Sequence, residues 1–230
     1  MVVSLHMGWR HVLFANWPVS PRVLAPALPD AVTLDTYDGN AWLSVVPFTN
    51  VDMRPRILPF DIGLPLPELN LRTYVTYDGT PGVYFFSLDA EGLLAVLGAR
   101  FFHYLPYYYA EIDLLEEEDE FRFTSRRHHP GARPVHFDAA YRPVGRPVRA
   151  ESGTLPYFLT ERYRYYTEAP TGAVRHAEIQ HDPWPLYDAE VTIEKNTLFR
   201  ANGFDTPDSE PVHFYSPGVD TIASESKRSS

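Results

Sequence analysis

Apolar and polar residues alternate with a period of two along much of the chain, the pattern of strands with one buried face. The pattern is clearest between Pro67 and Ala90. In Leu69–Tyr77, Asn70, Arg72, Tyr74 and Thr76 share one face, while Leu71, Thr73, Val75 and Tyr77 share the other. Asp78-Gly79-Thr80-Pro81-Gly82 is turn chemistry. Val83–Asp89 then returns as a strand rich in β-branched and aromatic residues, ending in Ser87 and Asp89. A row of Asn, Arg and Tyr on a strand normally faces water. In a sheet closed into a barrel the same row lines the interior, where it can hold a small anion.

Other segments repeat the theme. Trp9–Trp17 reads as a first strand, and Ser20-Pro21 as the cap and first residue of a helix stopped by Pro26 and Pro29. Val32–Tyr37 and Ala41–Phe48 flank Asp38-Gly39 as a hairpin, with Trp42, Ser44 and Val46 on one face. The proline-rich Val51–Pro67 reads as a covering loop. Strands are expected over Tyr107–Leu115, Phe121–His128, Val135–Arg142, Arg146–Ala150, Glu161–Glu168, Val174–His181, Ala189–Lys195 and Val212–Ser216. The period changes to three and four only in Glu91–Tyr104, where Leu93, Leu94, Leu97, Phe101 and Tyr104 form one apolar stripe. That helix would plug or cover the barrel. A second short helix is expected at Thr154–Thr160. Residues 1–8 read as a leader, 9–219 as one domain and 220–230 as a flexible tail.

Composition narrows the chemistry. Twenty-two prolines and thirteen glycines fit many short elements joined by turns, a mainly β chain of the α+β kind. The formal charge of −10 argues against general affinity for nucleic acid. Cysteine is absent, which removes disulfides, thiolate nucleophiles and zinc–cysteine sites. The only lysines are Lys195 and Lys227, so an amine-dependent mechanism has few candidates. No stretch reaches the roughly 18 apolar residues of a membrane span. No charged, cleavable leader precedes Trp9. A cytoplasmic protein without membrane contact is therefore expected, and homo-oligomerisation stays open.

Motif searches end mostly in exclusions. His176 and His181 lie five apart, on opposite faces of a strand, and His176 with Glu178 makes only two ligands, so no metal site is expected. There is no nucleophile elbow, dinucleotide fingerprint or P-loop, and no cofactor is expected. Glu68, Asp89 and Glu178 lie in or beside strands. A structural ion pair, for instance with Arg72, is their plain reading, and acid–base work the functional one. Tyr107 and Tyr109 share a face opposite to Tyr108.

Several ordered pieces resemble one family. They include Asn70-Leu71-Arg72-Thr73-Tyr74-Val75, the run from Gly79 to Ala90, Leu105-Pro106-Tyr107-Tyr108, Asp182-Pro183-Trp184-Pro185-Leu186 and Tyr215-Ser216-Pro217-Gly218-Val219. From about Trp9 to Val219 the chain is similar to the YqjF-like family, conserved proteins of unknown function (domain of unknown function 2071). The resemblance implies the fold of acetoacetate decarboxylase: an antiparallel β-barrel with a few flanking helices around an internal cavity. In that enzyme a Gly-Phe-Pro-Lys-Lys run supplies the Schiff-base lysine and its neighbour. Tyr104-Leu105-Pro106-Tyr107-Tyr108 matches the run here, with Arg100 where the enzyme has an arginine. A phenol forms no imine, so decarboxylation by that route is not expected.

These readings converge on a barrel that binds a small molecule, a carboxylate or keto acid. Asn70, Arg72, Tyr74, Arg100, Tyr107 and Tyr108 are the candidate contacts. Any chemistry would be acid–base work without an imine. The alternative is a non-catalytic structural or sensory module whose filled interior is held by an Asn70–Arg72–Tyr74 hydrogen-bond network.

Overall fold

The computed structural model describes residues 5–55, 65–92 and 104–229. Its strands are β1 (Leu5–Val19), β2 (Thr33–Leu34), β3 (Ala41–Pro55), β4 (Leu66–Tyr77), β5 (Thr80–Ala90), β6 (Tyr107–Glu117), β7 (Glu120–Arg127), β8 (His136–Val148), β9 (Arg164–Glu168), β10 (Val174–His181), β11 (Leu186–Asn196), β12 (Val212–Ala223) and β13 (Lys227–Arg228). The short helices α1 (Pro21–Leu24), α2 (Leu155–Thr160) and α3 (Leu198–Ala201) flank them. The helix expected over Glu91–Tyr104 falls largely outside the described residues, and Arg100 with it.

One sheet forks into two closed rings. The wall β12-β1-β3-β4-β5 is common to both. One ring closes through β6, β7, β8 and β11, the other through β9 and β10. The forks lie at β5 and β12, each of which shares one edge between two neighbours. On β5, Val83 and Tyr84 pair with β9, while Leu88 to Ala90 pair with β6, both in parallel. On β12, Phe214 and Tyr215 pair with β11, while Thr221 to Ala223 pair with β10.

Alternation along the shared wall supplies both interiors, because each face of it is buried. Leu13, Ala15, Leu43, Val45, Leu69 and Leu71 point into the first ring, where Phe123, Phe137 and Tyr141 meet them in a filled core. Phe199 of α3 packs edge-on against Trp17 in the same core. Val12, Phe14, Val46, Phe48 and Tyr74 point into the second ring, toward Tyr165, Trp184 and Leu159 of α2.

Two bulges set the faces. Between β4 and β5 the register shifts, Leu71 pairing with Ser87 and Arg72 with Phe85, so Phe86 is the extra residue. Strict alternation would put Val83, Phe85, Ser87 and Asp89 on one face. The bulge instead sends Val83, Phe85, Leu88 and Ala90 into the second ring. Asp89 is thereby delivered to Arg127 on the other side. A second shift, between Arg10 and Ala15 on β1, accompanies a left-handed His11 (φ 53°).

Several expected boundaries move. Thr33–Leu34 pairs with β4, and Asp38-Gly39 closes only the single bridge Tyr37–Asn40, so no hairpin joins Val32–Tyr37 to β3. Part of the expected loop at Val51–Pro67 is strand: β3 continues to Pro55 and β4 starts at Leu66. In the expected Arg146–Ala150 strand, Arg146 to Val148 are the end of β8, and Arg149 and Ala150 lie outside it. At the termini, Leu5 to Gly8 pair with Asp220 to Ala223, and Lys227–Arg228 pairs with β10. The turn expected over Asp78 to Gly82 narrows to Asp78-Gly79, both at positive φ (48° and 73°) between the paired Tyr77 and Thr80, and Thr80 to Gly82 belong to β5.

Candidate functional site

The second ring lines a half-open hollow of about 730 Å³. Its apolar wall combines Trp9, Phe14, Phe48, Phe85, Tyr165 and Trp184 with aliphatic residues such as Val12, Val46 and Leu88. One face of β4 contributes Glu68, Asn70 and Arg72 at every second residue, and Thr160, Arg162, Arg164 and His181 also reach the lining. Asn50 from β3 and Tyr107 from β6 join them.

Arg72 is half-buried beside Phe14 and Tyr74, its guanidinium carbon 5.5 Å and 5.8 Å from the two ring centres. One Nη donates to the Leu159 carbonyl at 3.2 Å. Its Nε is buried with no hydrogen-bond partner among the described residues. The carbonyl of Leu159 lies in the last turn of α2, where the chain offers no further N–H. Arg72 thus caps that helix while retaining an unused donor.

Glu68 is the most perturbed acid of the cavity. Tyr107 donates its phenol to Glu68 Oε2 at 3.1 Å, and Asn50 its amide to the same oxygen at 3.2 Å. Asn70 also hydrogen-bonds this carboxyl, and its own Oδ1 is left without a partner among the described residues. Burial outweighs these donors and pushes the Glu68 carboxyl up to about 7. Burial and the neighbouring Glu68 together hold the Tyr107 phenol well above its ordinary range. A carboxyl that changes charge near neutrality, next to a phenol that stays protonated, can exchange a proton with a bound carbonyl compound.

The expected candidates separate accordingly. Asn70, Arg72 and Tyr107 line the hollow. Tyr74 does not: fully buried, it donates to the Leu159 carbonyl at 2.8 Å and meets Ser44 Oγ at 2.9 Å. Ser44 donates to Asn16 Oδ1 at 2.6 Å, which completes a buried polar knot. Tyr74→Phe is expected to cost about 1–2 kcal/mol in urea denaturation and to leave ligand affinity unchanged. Tyr108 faces the filled ring, with the Arg127 guanidinium 4.1 Å from its ring centre. Arg100 lies outside the described residues.

Of the three carboxylates weighed in the sequence, Glu178 pairs with Arg164 at the surface and Asp89 with Arg127 in the filled ring. Glu68 is held by neutral donors instead of the expected ion pair. Its place on the Asn70–Arg72 face was readable from parity. The partners Asn50 and Tyr107 come from other strands and were not.

The chain's two lysines sit on β11 and β13 with exposed side chains, and neither lines the hollow. Among the described residues there is no group of three metal-ligating side chains, and no helix long and apolar enough to cross a membrane.

A model of the domain of unknown function 2071, described as an uncharacterized conserved protein family, matches residues 6–220. The chain belongs to this family. It is 46% identical over 219 residues to the uncharacterized protein YqjF of Bacillus subtilis (strain 168), a match covering 95% of this chain and 89% of YqjF. Among solved structures, the enduracididine biosynthesis enzyme MppR superposes with a TM-score of 0.67 at 10% identity, over 99% of this chain and 88% of that one. Acetoacetate decarboxylase from Legionella pneumophila gives 0.66 at 14% identity, over 98% and 87%. An acetoacetate decarboxylase-like enzyme from Sphingomonas wittichii gives 0.65 at 14%, over 98% and 92%. This YqjF-like protein therefore has the acetoacetate decarboxylase-like fold.

Proposed function

We propose that this YqjF-like protein binds a small organic acid in the second ring, its carboxylate on Arg72. The observation that carries the reading is a half-buried arginine whose buried Nε is unused, at the edge of a hollow of about 730 Å³. A buried donor without a partner is costly, and a ligand carboxylate would satisfy it through charge-assisted hydrogen bonds. A module with a filled interior, the competing expectation, would have no use for such a hollow. MppR, which shares the fold, has been captured with pyruvate, an acid of the same class.

Any chemistry on such an acid would run without an imine, because no lysine reaches the hollow and Tyr107 stands where the resemblance places the amine. Glu68 and Tyr107 are the acid–base pair on offer.

Thermal shift and calorimetry against a panel of organic acids test the reading. Arg72→Ala is expected to remain folded, losing about 1–2 kcal/mol with its bond to the Leu159 carbonyl. Its affinity for the acid should fall at least tenfold, the worth of one charge-assisted hydrogen bond. Equal responses from variant and parent would remove Arg72 from the site.

A further inference from the structure

The shape and lining of the hollow say more about the acid than Arg72 does. A three-carbon oxo acid would occupy a small part of about 730 Å³, a volume in the range that holds drug-sized molecules. The wall between the two polar ends is a continuous series of ring contacts. Arg72 lies over Phe14, and Phe14 meets Trp184 edge-on at 5.2 Å. Trp184 stacks on Trp9 at 5.9 Å with ring planes 7° apart. Trp9 then donates its indole N–H to Asn50 Oδ1 at 3.0 Å, and Asn50 donates to Glu68. Arg72 and Glu68 are four residues apart on one strand, so their backbones lie roughly 13 Å apart. The path from the guanidinium toward the Glu68–Tyr107 pair therefore passes the rings of Phe14, Trp184 and Trp9, with the Asn50 amide as its last link.

Resting on the reading of Arg72 as the carboxylate anchor, we propose that the ligand is an aromatic carboxylic acid. Its carboxylate sits on Arg72 and its ring against Phe14, Trp184 and Trp9. A hydroxyl or carbonyl at its far end reaches Glu68 and Tyr107. Aromatic rings favour such a wall because offset and edge-on contacts add to the area they bury. The far-end group meets the Glu68 carboxyl, which accepts when ionised and donates when protonated, and the Tyr107 oxygen, which accepts while its proton is given to Glu68, so a neutral polar group is satisfied there. A second carboxylate would face Glu68, which disfavours dicarboxylates above about pH 7.

Calorimetry with the full chain, supported by quenching of tryptophan fluorescence, separates the outcomes. The probes are pyruvate, phenylpyruvate, 4-hydroxyphenylpyruvate and the neutral phenylacetamide. Phenylpyruvate should bind at least tenfold more tightly than pyruvate, and the 4-hydroxy compound several-fold more tightly again, a gain lost in Glu68→Ala. Arg72→Ala should weaken all three acids. If pyruvate binds as tightly as phenylpyruvate and depends on Arg72, the aromatic class is wrong and the anchor survives. If phenylacetamide matches the acids and Arg72→Ala changes nothing, the anchor itself fails, and the proposal with it. Absence of binding by either aromatic acid at millimolar concentration to the folded protein overturns the proposal as well. An unchanged ratio between the 4-hydroxy and parent acids in Glu68→Ala would overturn the far-end assignment.

Discussion

Arg127→Ala is expected to destabilise the protein by about 3–5 kcal/mol, the usual cost of stranding one member of a buried ion pair. Asp89 is fully buried and Arg127 almost so. Arg127 Nε donates to Asp89 Oδ1 at 2.7 Å, and one Nη lies at the same distance from that oxygen. Removing the guanidinium leaves a carboxylate with no countercharge in a low-dielectric core, and also removes the cation from the face of Tyr108. Burial already lifts the Asp89 carboxyl to about 6 against the pull of Arg127. Without Arg127 it would rise further, so the deficit should be larger at pH 8 than at pH 5, where Asp89 can take up a proton. Urea denaturation at the two pH values measures this. A loss below about 1 kcal/mol at pH 8 would show that the pair contributes little. The double variant Asp89→Leu/Arg127→Met should recover most of the loss, since apolar replacement of both partners leaves no charge to solvate.

The position of this pair links stability to the site. Asp89 pairs with Tyr108 where β6 joins β5 in parallel, at one fork of the sheet. Tyr107, the residue before Tyr108, projects to the opposite face and donates to Glu68. The ion pair in the filled ring thus fixes the strand that presents Tyr107 to the hollow. Arg127→Ala should accordingly weaken ligand binding as well as folding, although Arg127 does not line the hollow.

Period-two alternation was enough to read a mainly β chain, and it placed Asn70, Arg72 and Tyr107 on usable faces. It could not tell which of two barrels a face looks into, because both faces of the shared wall are apolar and both are buried. Tyr74 shows the limit: its parity matches Arg72, yet its phenol ends in the knot with Ser44 and Asn16. The bulge at Phe86 left no trace in the pattern either, since Phe85 and Phe86 are equally apolar. Its effect on Asp89 was therefore invisible. The start of β4 was misplaced for another reason. Pro65 and Pro67 made the stretch before Leu69 look like loop, whereas both the strand and its polar face begin earlier. A proline at the start of a strand is compatible with pairing. The pairing of the two ends of the chain is a long-range register, which local composition does not encode.

Glu68→Gln should make the protein more stable at pH 8, by up to about 3 kcal/mol. The Glu68 carboxyl rises from 4.5 in a solvated chain to about 7 in the fold, and each unit is worth about 1.4 kcal/mol. Between those values the folded state holds a proton that the unfolded chain has released. Stability contributed by this group is therefore complete below about pH 4.5, falls as pH rises, and levels off above about pH 7. The amide of the variant keeps an acceptor for the Tyr107 phenol, and its N–H can meet the unpartnered Oδ1 of Asn70. It cannot ionise, so its stability should lack this fall. Asp89 titrates in the same direction from 3.8 to about 6 in parent and variant alike, and in the parent its charge adds to the rise of Glu68. Denaturation curves at pH 5 and pH 8 should converge at the lower value and separate at the higher. Coincident curves at pH 8 would mean that Glu68 ionises in the fold without cost. The charge change near neutrality that suits it to proton transfer would then be absent. A buried carboxyl kept at such a cost, beside a phenol and facing a hollow, is the kind of local conflict that a purely structural residue has no reason to retain.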